Sequence, residues 1–133
     1  MIHAIADTHT IIWYLFADSR LSITARNTIE QIANNGNHVG IASISLAEIV
    51  YLEEKNRIPE NTLKILMSAL DQTNSVLEEI PLERNIITTL AKVERAQIPD
   101  LPDRIIAATA LYFKVPVISR DHKIKLSSID TIW

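Results

Sequence analysis

Four acidic residues of this 133-residue chain could do chemistry together, and two of them lie in unusually apolar stretches. Asp7 is the only charged residue between positions 1 and 17, and it follows a short apolar run. Glu48 is the only charged residue from position 41 to position 52. An ionised carboxylate in such surroundings is costly unless a basic side chain, a set of N–H donors or a cation lies beside it.

The other two acids are Asp103 and Asp121. Asp103 opens an alanine-rich apolar helix that runs to Phe113, and Asp121 directly follows a predicted strand that ends at Ser119. If the strands are parallel, all four carboxylates lie at one edge of the sheet, where ligands of open parallel sheets bind. Carboxylates gathered there repel one another, and Mg²⁺ or Mn²⁺ would remove that conflict. Such a metal site suits phosphate-ester hydrolysis by an activated water, with one ion or with two ions about 4 Å apart.

Each of these acids also has a purely structural interpretation. Glu48 is the fourth residue of Ser45-Leu46-Ala47-Glu48, which has the pattern of a helix capping box. Asp103 could satisfy the N–H groups at a helix N-terminus, and Asp121 could be a turn or cap residue. Asp7 is the hardest to explain in this way, because an apolar run needs neither cap nor turn.

Several neighbouring residues are candidates for substrate binding. Thr8 could bond a metal-bound water or only cap the first helix, and His9 could orient substrate or water or be an ordinary surface histidine. Arg104 could pair with an acid of the site or form a salt bridge elsewhere. Segment 104–125 has a net charge of +4, from five basic residues against one acid, in a chain of net charge −3. This basic stripe, which includes Arg120 and Lys123, could face an anionic ligand or be solvated surface.

The elements that must position these side chains alternate between short apolar strands and helices. A first strand ends at Asp7, and further strands are predicted at 38–42, 76–80, 116–119 and 129–132. Helices are predicted at 10–16, 23–34, 45–56, 60–70, 81–96 and 103–113. This alternation predicts an α/β fold with a parallel sheet covered on both faces. We expect one domain over residues 1–133.

Composition narrows the function classes. The 47% hydrophobic content is ample for one core, and the absence of cysteine rules out a thiolate zinc site and fits a reducing cytoplasm. No apolar run reaches about 18 residues, so we expect a soluble, untargeted, cytoplasmic protein without membrane contact. Gly36 and Gly40 are the only glycines, which excludes the glycine-rich loops of P-loop and dinucleotide-binding proteins.

Four short motifs resemble the PIN domain, and within it the VapC-type toxin ribonucleases. They are Asp7-Thr8-His9 with Trp13 shortly after, Ser43-Ile44-Ser45-Leu46-Ala47-Glu48-Ile49, Pro102-Asp103-Arg104-Ile105-Ile106-Ala107-Ala108-Thr109-Ala110, and Val117-Ile118-Ser119-Arg120-Asp121, with Ile132-Trp133 closing the chain. Each motif is weak alone. Their order and their span over nearly the whole chain make the resemblance specific.

The resemblance implies a three-layer α/β/α sandwich with a mostly parallel sheet of strand order 3-2-1-4-5. It implies Mg²⁺- or Mn²⁺-dependent cleavage of RNA, with Asp7, Glu48, Asp103 and Asp121 as the metal-binding and catalytic acids. It also implies a homodimer and a cognate antitoxin protein that blocks the site. The chain departs from the family where Asp-Pro-Phe-Asp-Arg is common, since it has Asp100-Leu101-Pro102-Asp103-Arg104 there, which leaves any role of Asp100 open.

Our leading hypothesis is a metal-dependent endoribonuclease, the toxin of a toxin–antitoxin pair. Its expected substrate contacts are Thr8, His9, Arg104, Arg120 and Lys123. One alternative is a catalytically silent PIN-like module that only binds or scaffolds. Another is a phosphotransfer domain of receiver or haloacid-dehalogenase type, although the first strand lacks the second acid of an Asp-x-Asp pair.

Overall fold

The computed structural model describes the backbone of residues 1–133 and every side chain except that of Leu126. The elements, in chain order, are β1 (Ile2–Ala6), α1 (Thr8–Leu15), α2 (Ile23–Asn34), β2 (His38–Ala42), α3 (Ser43–Glu54), α4 (Thr62–Asp71), β3 (Leu77–Ile80), α5 (Arg84–Leu90), α6 (Leu101–Phe113), β4 (Val117–Ile118), α7 (His122–Leu126) and β5 (Thr131–Ile132). Among the described helices, none combines the length and apolarity that a bilayer span needs.

The five strands form one sheet in the order β3-β2-β1-β4-β5, and every pairing is parallel. This confirms the predicted strand order. β1 lies at the centre, where Ala6 pairs with Ile41 of β2 on one side and with Ile118 of β4 on the other. The ends of β1, β2 and β4 therefore meet at the same edge, and the residues that follow them are brought together there.

Two hydrophobic cores cover the two faces of the sheet, as predicted for an α/β/α sandwich. Successive side chains of β1 point to opposite faces, so Ala4 and Ala6 join one core and Ile5 joins the other. The first core is completed by residues of α1 to α4 and the second by residues of α5 to α7. Gly40 of β2 keeps the second core close-packed, because a Cβ there would lie 2.6 Å from Ile5 Cδ1.

The residues at the two ends of α2 confirm the bounds predicted from the sequence. Ser22 caps α2 by accepting a hydrogen bond from the backbone N–H of Ala25 at 3.0 Å. Gly36, just beyond that helix, has a left-handed φ of 73°, which glycine adopts without strain.

The helix predicted over 81–96 is wrong in length, because α5 spans only Arg84–Leu90. The structure shows why the chain can leave the helix early. The Arg104 guanidinium donates hydrogen bonds to the carbonyl oxygens of Leu90 at 3.2 Å and Val93 at 2.7 Å. These carbonyl oxygens would otherwise need the N–H groups of a continuing helix as partners. The short helix α7 was not predicted, since five residues are too few for a periodic pattern.

Candidate active site

A pocket of about 570 Å³ lies at the carboxyl edge of the sheet. The structure brings all four predicted acids to it, together with the predicted contacts Thr8, His9, Arg120 and Lys123. The lining is completed by Trp13, Asp100 and His122. Arg104 does not line the pocket, because its guanidinium is bound to the end of α5. Its predicted role in substrate binding is therefore not supported.

Asp7 is held by hydrogen-bond donors of the protein. It follows β1 and caps α1, where its Oδ1 accepts from the backbone N–H of Thr10 at 3.0 Å. The expectation that no cap is needed at this position is therefore wrong, because α1 begins directly after Asp7. Its Oδ2 accepts a short hydrogen bond from the hydroxyl of Ser119. The residue is only 8% exposed, and no basic side chain among the described residues forms a salt bridge with it. These two hydrogen bonds offset part of the free-energy cost of burying the carboxylate. They leave its negative charge without a basic partner.

Ser119 links two of the acids. Its hydroxyl oxygen, fully buried, also accepts from the backbone N–H of Asp121 at 2.9 Å. Asp121 in turn caps α7, because its Oδ1 accepts from the N–H groups of Lys123 at 2.8 Å and Ile124 at 3.1 Å. The cap interpretation of Asp121 is thus correct, and the same side chain still lines the pocket.

Glu48 is positioned by Thr8 and not by a capping box. The N-cap of α3 is Ala42, so Ser45 lies inside the first turn and is fully buried. The Thr8 hydroxyl donates to Glu48 Oε1 at 2.5 Å, and its oxygen lies 2.9 Å from Ser45 Oγ. The capping-box interpretation is therefore wrong, because Ser45 is not the N-cap of α3 and both side chains interact with Thr8.

Replacing Thr8 with valine tests this arrangement. Thr8→Val keeps the side-chain shape but leaves Glu48 without its donor, so we expect a loss of about 1–2 kcal/mol of stability. Because groups that orient metal ligands typically contribute 10- to 100-fold to affinity, Mn²⁺ binding should weaken by roughly that factor. Thermal unfolding and Mn²⁺ titration calorimetry measure the two effects. Thr28→Val, which removes an exposed helical hydroxyl bonded to Thr24, is the control and should leave Mn²⁺ affinity unchanged.

Asp103 is not the cap of its helix. That role belongs to Asp100, whose Oδ2 accepts from the backbone N–H of Asp103 at 3.3 Å. Burial raises the pKa of the Asp103 carboxyl to about 7, and the charge of Asp121 is the next largest cause. Three further carboxylates add to the rise: Asp100, Glu48 and Asp7. Their combined repulsion indicates that the acids share one electrostatic environment.

Glu48 is affected in the same direction. Burial raises the pKa of its carboxyl, against the hydrogen bond from Thr8, which lowers it. The charges of Asp100 and Asp7 raise it further. Two partly buried carboxylates with raised pKa values in one pocket are typical of a functional site.

The donor set fits a hard divalent cation. Five carboxylates line the pocket, and the described residues show only one salt bridge, between Arg20 and Asp18, which lies outside it. Among these residues no three acidic or histidine side chains are already gathered closely enough to ligate one ion. Binding therefore requires carboxylate rotation or intervening water, and Mg²⁺ usually keeps several waters in proteins.

The sequence analysis left the role of Asp100 open and did not identify Ser119 as part of the site. Asp100 had a signal, since an acid three residues before Asp103 in a Pro-containing loop is a natural helix cap. Ser119 had none, because its partner Asp7 is 112 residues away in the chain.

A family model described as PIN domain matches residues 4–129. No curated protein sequence matches the chain significantly.

Three solved structures resemble this one over nearly their whole length. VapBC2 from Rickettsia felis, bound to a promoter DNA fragment, has a TM-score of 0.71 and 22% identity, covering 98% of this chain and 97% of that chain. A toxin–antitoxin complex from Klebsiella pneumoniae has a TM-score of 0.66 and 21% identity, with 98% and 96% covered. FitAcB from Neisseria gonorrhoeae has a TM-score of 0.64 and 19% identity, with 98% and 96% covered. At these identities the likeness establishes the shared fold.

Proposed function

Since this chain belongs to the PIN domain family, we propose that it is a metal-dependent endoribonuclease and the toxin of a toxin–antitoxin pair. One observation carries the proposal. Five carboxylates line a single pocket at the sheet edge without a salt bridge among the described residues, and the pKa of Asp103 there rises to about 7. Such a concentration of negative charge is tolerable when a divalent cation joins it.

In this proposal Asp7, Asp103 and Asp121 hold Mg²⁺ or Mn²⁺ directly, and Glu48 binds it directly or through water. When bound, the ion would lower the pKa of a water molecule and stabilise the negative charge that develops during phosphodiester hydrolysis. The chain's own contribution is positioning. Ser119 and the N–H of Thr10 orient Asp7, and Thr8 orients Glu48.

The basic residues of the pocket wall are proposed to bind the RNA backbone. Arg120 and Lys123 are both exposed and line the pocket beside the acids. Thr8 and His9 complete the predicted substrate contacts, although Thr8 is 4% exposed and its hydroxyl already donates to Glu48. Contacts with phosphates make RNA affinity fall as salt concentration rises.

The proposed partners follow from the neighbours. The Rickettsia felis and Klebsiella pneumoniae structures are a VapBC assembly and a toxin–antitoxin complex. We therefore propose that this chain binds a small antitoxin protein that blocks the pocket. The homodimer is proposed only because the resemblance to VapC-type toxins implies it. Co-purification with the product of a neighbouring short reading frame, followed by inhibition of cleavage, tests the antitoxin.

The direct test is cleavage of labelled single-stranded RNA by the purified protein with Mn²⁺. We expect product with Mn²⁺ and none with excess chelator. Isothermal titration with Mn²⁺ separates the nuclease from a silent PIN-like scaffold, because a scaffold need not bind metal. A protein that neither binds Mn²⁺ nor cleaves RNA would favour the scaffold.

The pH dependence of Mn²⁺ affinity provides a further prediction. Because the pKa of Asp103 is about 7, this carboxyl is protonated below that pH and must lose its proton when a cation binds. We expect the dissociation constant to rise by up to about tenfold for each pH unit below 7 and to level off above it. Titrations from pH 5.5 to 8.5 measure this. A constant affinity across the range would contradict the role of Asp103 as a ligand.

A further inference from the structure

Trp13 lies at the junction of the pocket and two arginines. The residue is only 4% exposed, so its ring is not available to stack on a base. The Arg120 Cζ atom lies 4.5 Å from the centroid of the Trp13 ring, and the Arg20 Cζ atom lies 5.2 Å from it. Both distances are within the range of cation–π attraction. The ring also contacts His9 and Trp133, at centroid separations of 5.7 Å and 5.8 Å.

The two arginines differ in whether their guanidinium N–H donors are already hydrogen-bonded. Arg20 donates through Nε and Nη2 to the two carboxylate oxygens of Asp18, at 3.0 Å and 2.7 Å. It does not line the pocket. Arg120 lines the pocket, and no hydrogen bond or salt bridge engages its guanidinium among the described residues. A guanidinium that stacks on an aromatic ring keeps the N–H donors at its edge free.

This arrangement resolves a conflict within the pocket. An arginine beside five carboxylates would ordinarily pair with one of them and neutralise a metal ligand. Stacking on Trp13 gives Arg120 an alternative partner that carries no charge. The Arg120 guanidinium then stays at the rim with its N–H donors free, and it pairs with none of the described pocket acids.

We propose that Trp13 is a positioning residue that holds the Arg120 guanidinium at the pocket rim, where it binds a phosphate of the RNA chain. The inference rests on the proposed nuclease function and deepens it. The guanidinium presents paired donors that match two oxygens of a phosphodiester. Trp13 acts only through Arg120 and does not touch the RNA.

The experiment is a double-mutant cycle on cleavage of labelled single-stranded RNA with Mn²⁺. Arg120→Gln should raise KM about tenfold with little change in kcat, and should lower the salt slope of log kcat/KM by about 0.7, the contribution of one phosphate contact. Trp13→Phe, which keeps a weaker aromatic face, should raise KM about threefold. In the Arg120→Gln background it should have no further effect on KM. Arg20→Gln is the matched control and should leave KM within about twofold of wild type.

Arg120→Lys keeps the test decisive if Trp13→Phe unfolds. Lysine retains the charge but not the planar fork, so KM should rise while the salt slope stays unchanged. The positioning role is overturned if Arg120→Lys matches wild type, or if Trp13→Phe raises KM equally in both backgrounds.

RNA affinity measured by fluorescence anisotropy in Ca²⁺ separates this inference from the proposed function. RNA binding that weakens in Arg120→Gln and in Trp13→Phe, without cleavage by the wild type, would support the inference and reject the nuclease. A wild-type protein that cleaves RNA with unchanged KM in both variants would do the reverse. A protein that neither binds nor cleaves RNA would reject both.

Discussion

Asp7→Asn should lower the rate of RNA cleavage by more than about a hundredfold, beyond the 10- to 100-fold typical of residues that only orient a metal ligand. Asp7 is the most buried of the pocket acids, at 8% exposure, and its charge is not compensated by a salt bridge among the described residues. The substitution removes that charge and changes almost nothing else. Initial rates of cleavage with saturating Mn²⁺ measure the effect.

The fold should tolerate Asp7→Asn. The amide oxygen can still accept from the N–H of Thr10, which preserves the cap of α1. The amide nitrogen can donate to Ser119 Oγ, whose hydroxyl is able to turn away. Asp130→Asn, an exposed acid outside the pocket, is the matched control and should keep full activity. Equal activity in Asp7→Asn and wild type would end the assignment of Asp7.

Asp103→Asn should abolish cleavage and at the same time stabilise the metal-free protein at pH 8. Burial and neighbouring acids raise the pKa of Asp103 to about 7, above its ordinary value of 3.8, so its ionised form opposes folding. Its contribution to stability is therefore full below about pH 4 and declines as pH rises to about 7. Because the side chain is partly exposed, we expect a gain on the order of 1 kcal/mol, or about 3–5 °C in Tm.

The pH dependence of that gain provides the control. Near pH 4 the wild-type carboxyl is largely protonated in the folded state, so Asp103→Asn and wild type should unfold at nearly the same temperature. Asp130→Asn should show no gain at either pH, because it faces no acid cluster. Differential scanning calorimetry with chelator measures all three proteins. A variant less stable than wild type at pH 8 would show that Asp103 has a structural role instead.

The two variants together separate function from stability. Replacing a residue that serves packing makes the protein less stable. Replacing a carboxylate that serves to bind a cation lowers activity but makes the metal-free protein more stable. Mn²⁺ should reverse the order at pH 8 by stabilising the wild type more than Asp103→Asn.

Much of the fold could be predicted from local patterns. The helix Ile23–Asn34 and the strand His38–Ala42 have the predicted bounds, because a serine cap, a glycine after the helix and an apolar run are local signals. The position of Asp7 and Asp121 after strands, and of Glu48 and Asp103 near helix starts, was enough to predict their convergence. The pocket lining agrees with that prediction. The strand order was implied by the family resemblance, and the observed sheet has it.

The sequence by itself therefore determined the alternation of strands and helices, the parallel sheet and the edge at which the four acids meet. Only the tertiary structure decided which partner each polar side chain has. Ser119 contacts Asp7 across 112 residues, Thr8 contacts Glu48 across 40, and Arg104 turns from the pocket to the end of α5. The physical reason is that caps and apolar periodicity depend on neighbours in the chain, whereas a buried hydroxyl or guanidinium bonds whichever group the packed fold places beside it.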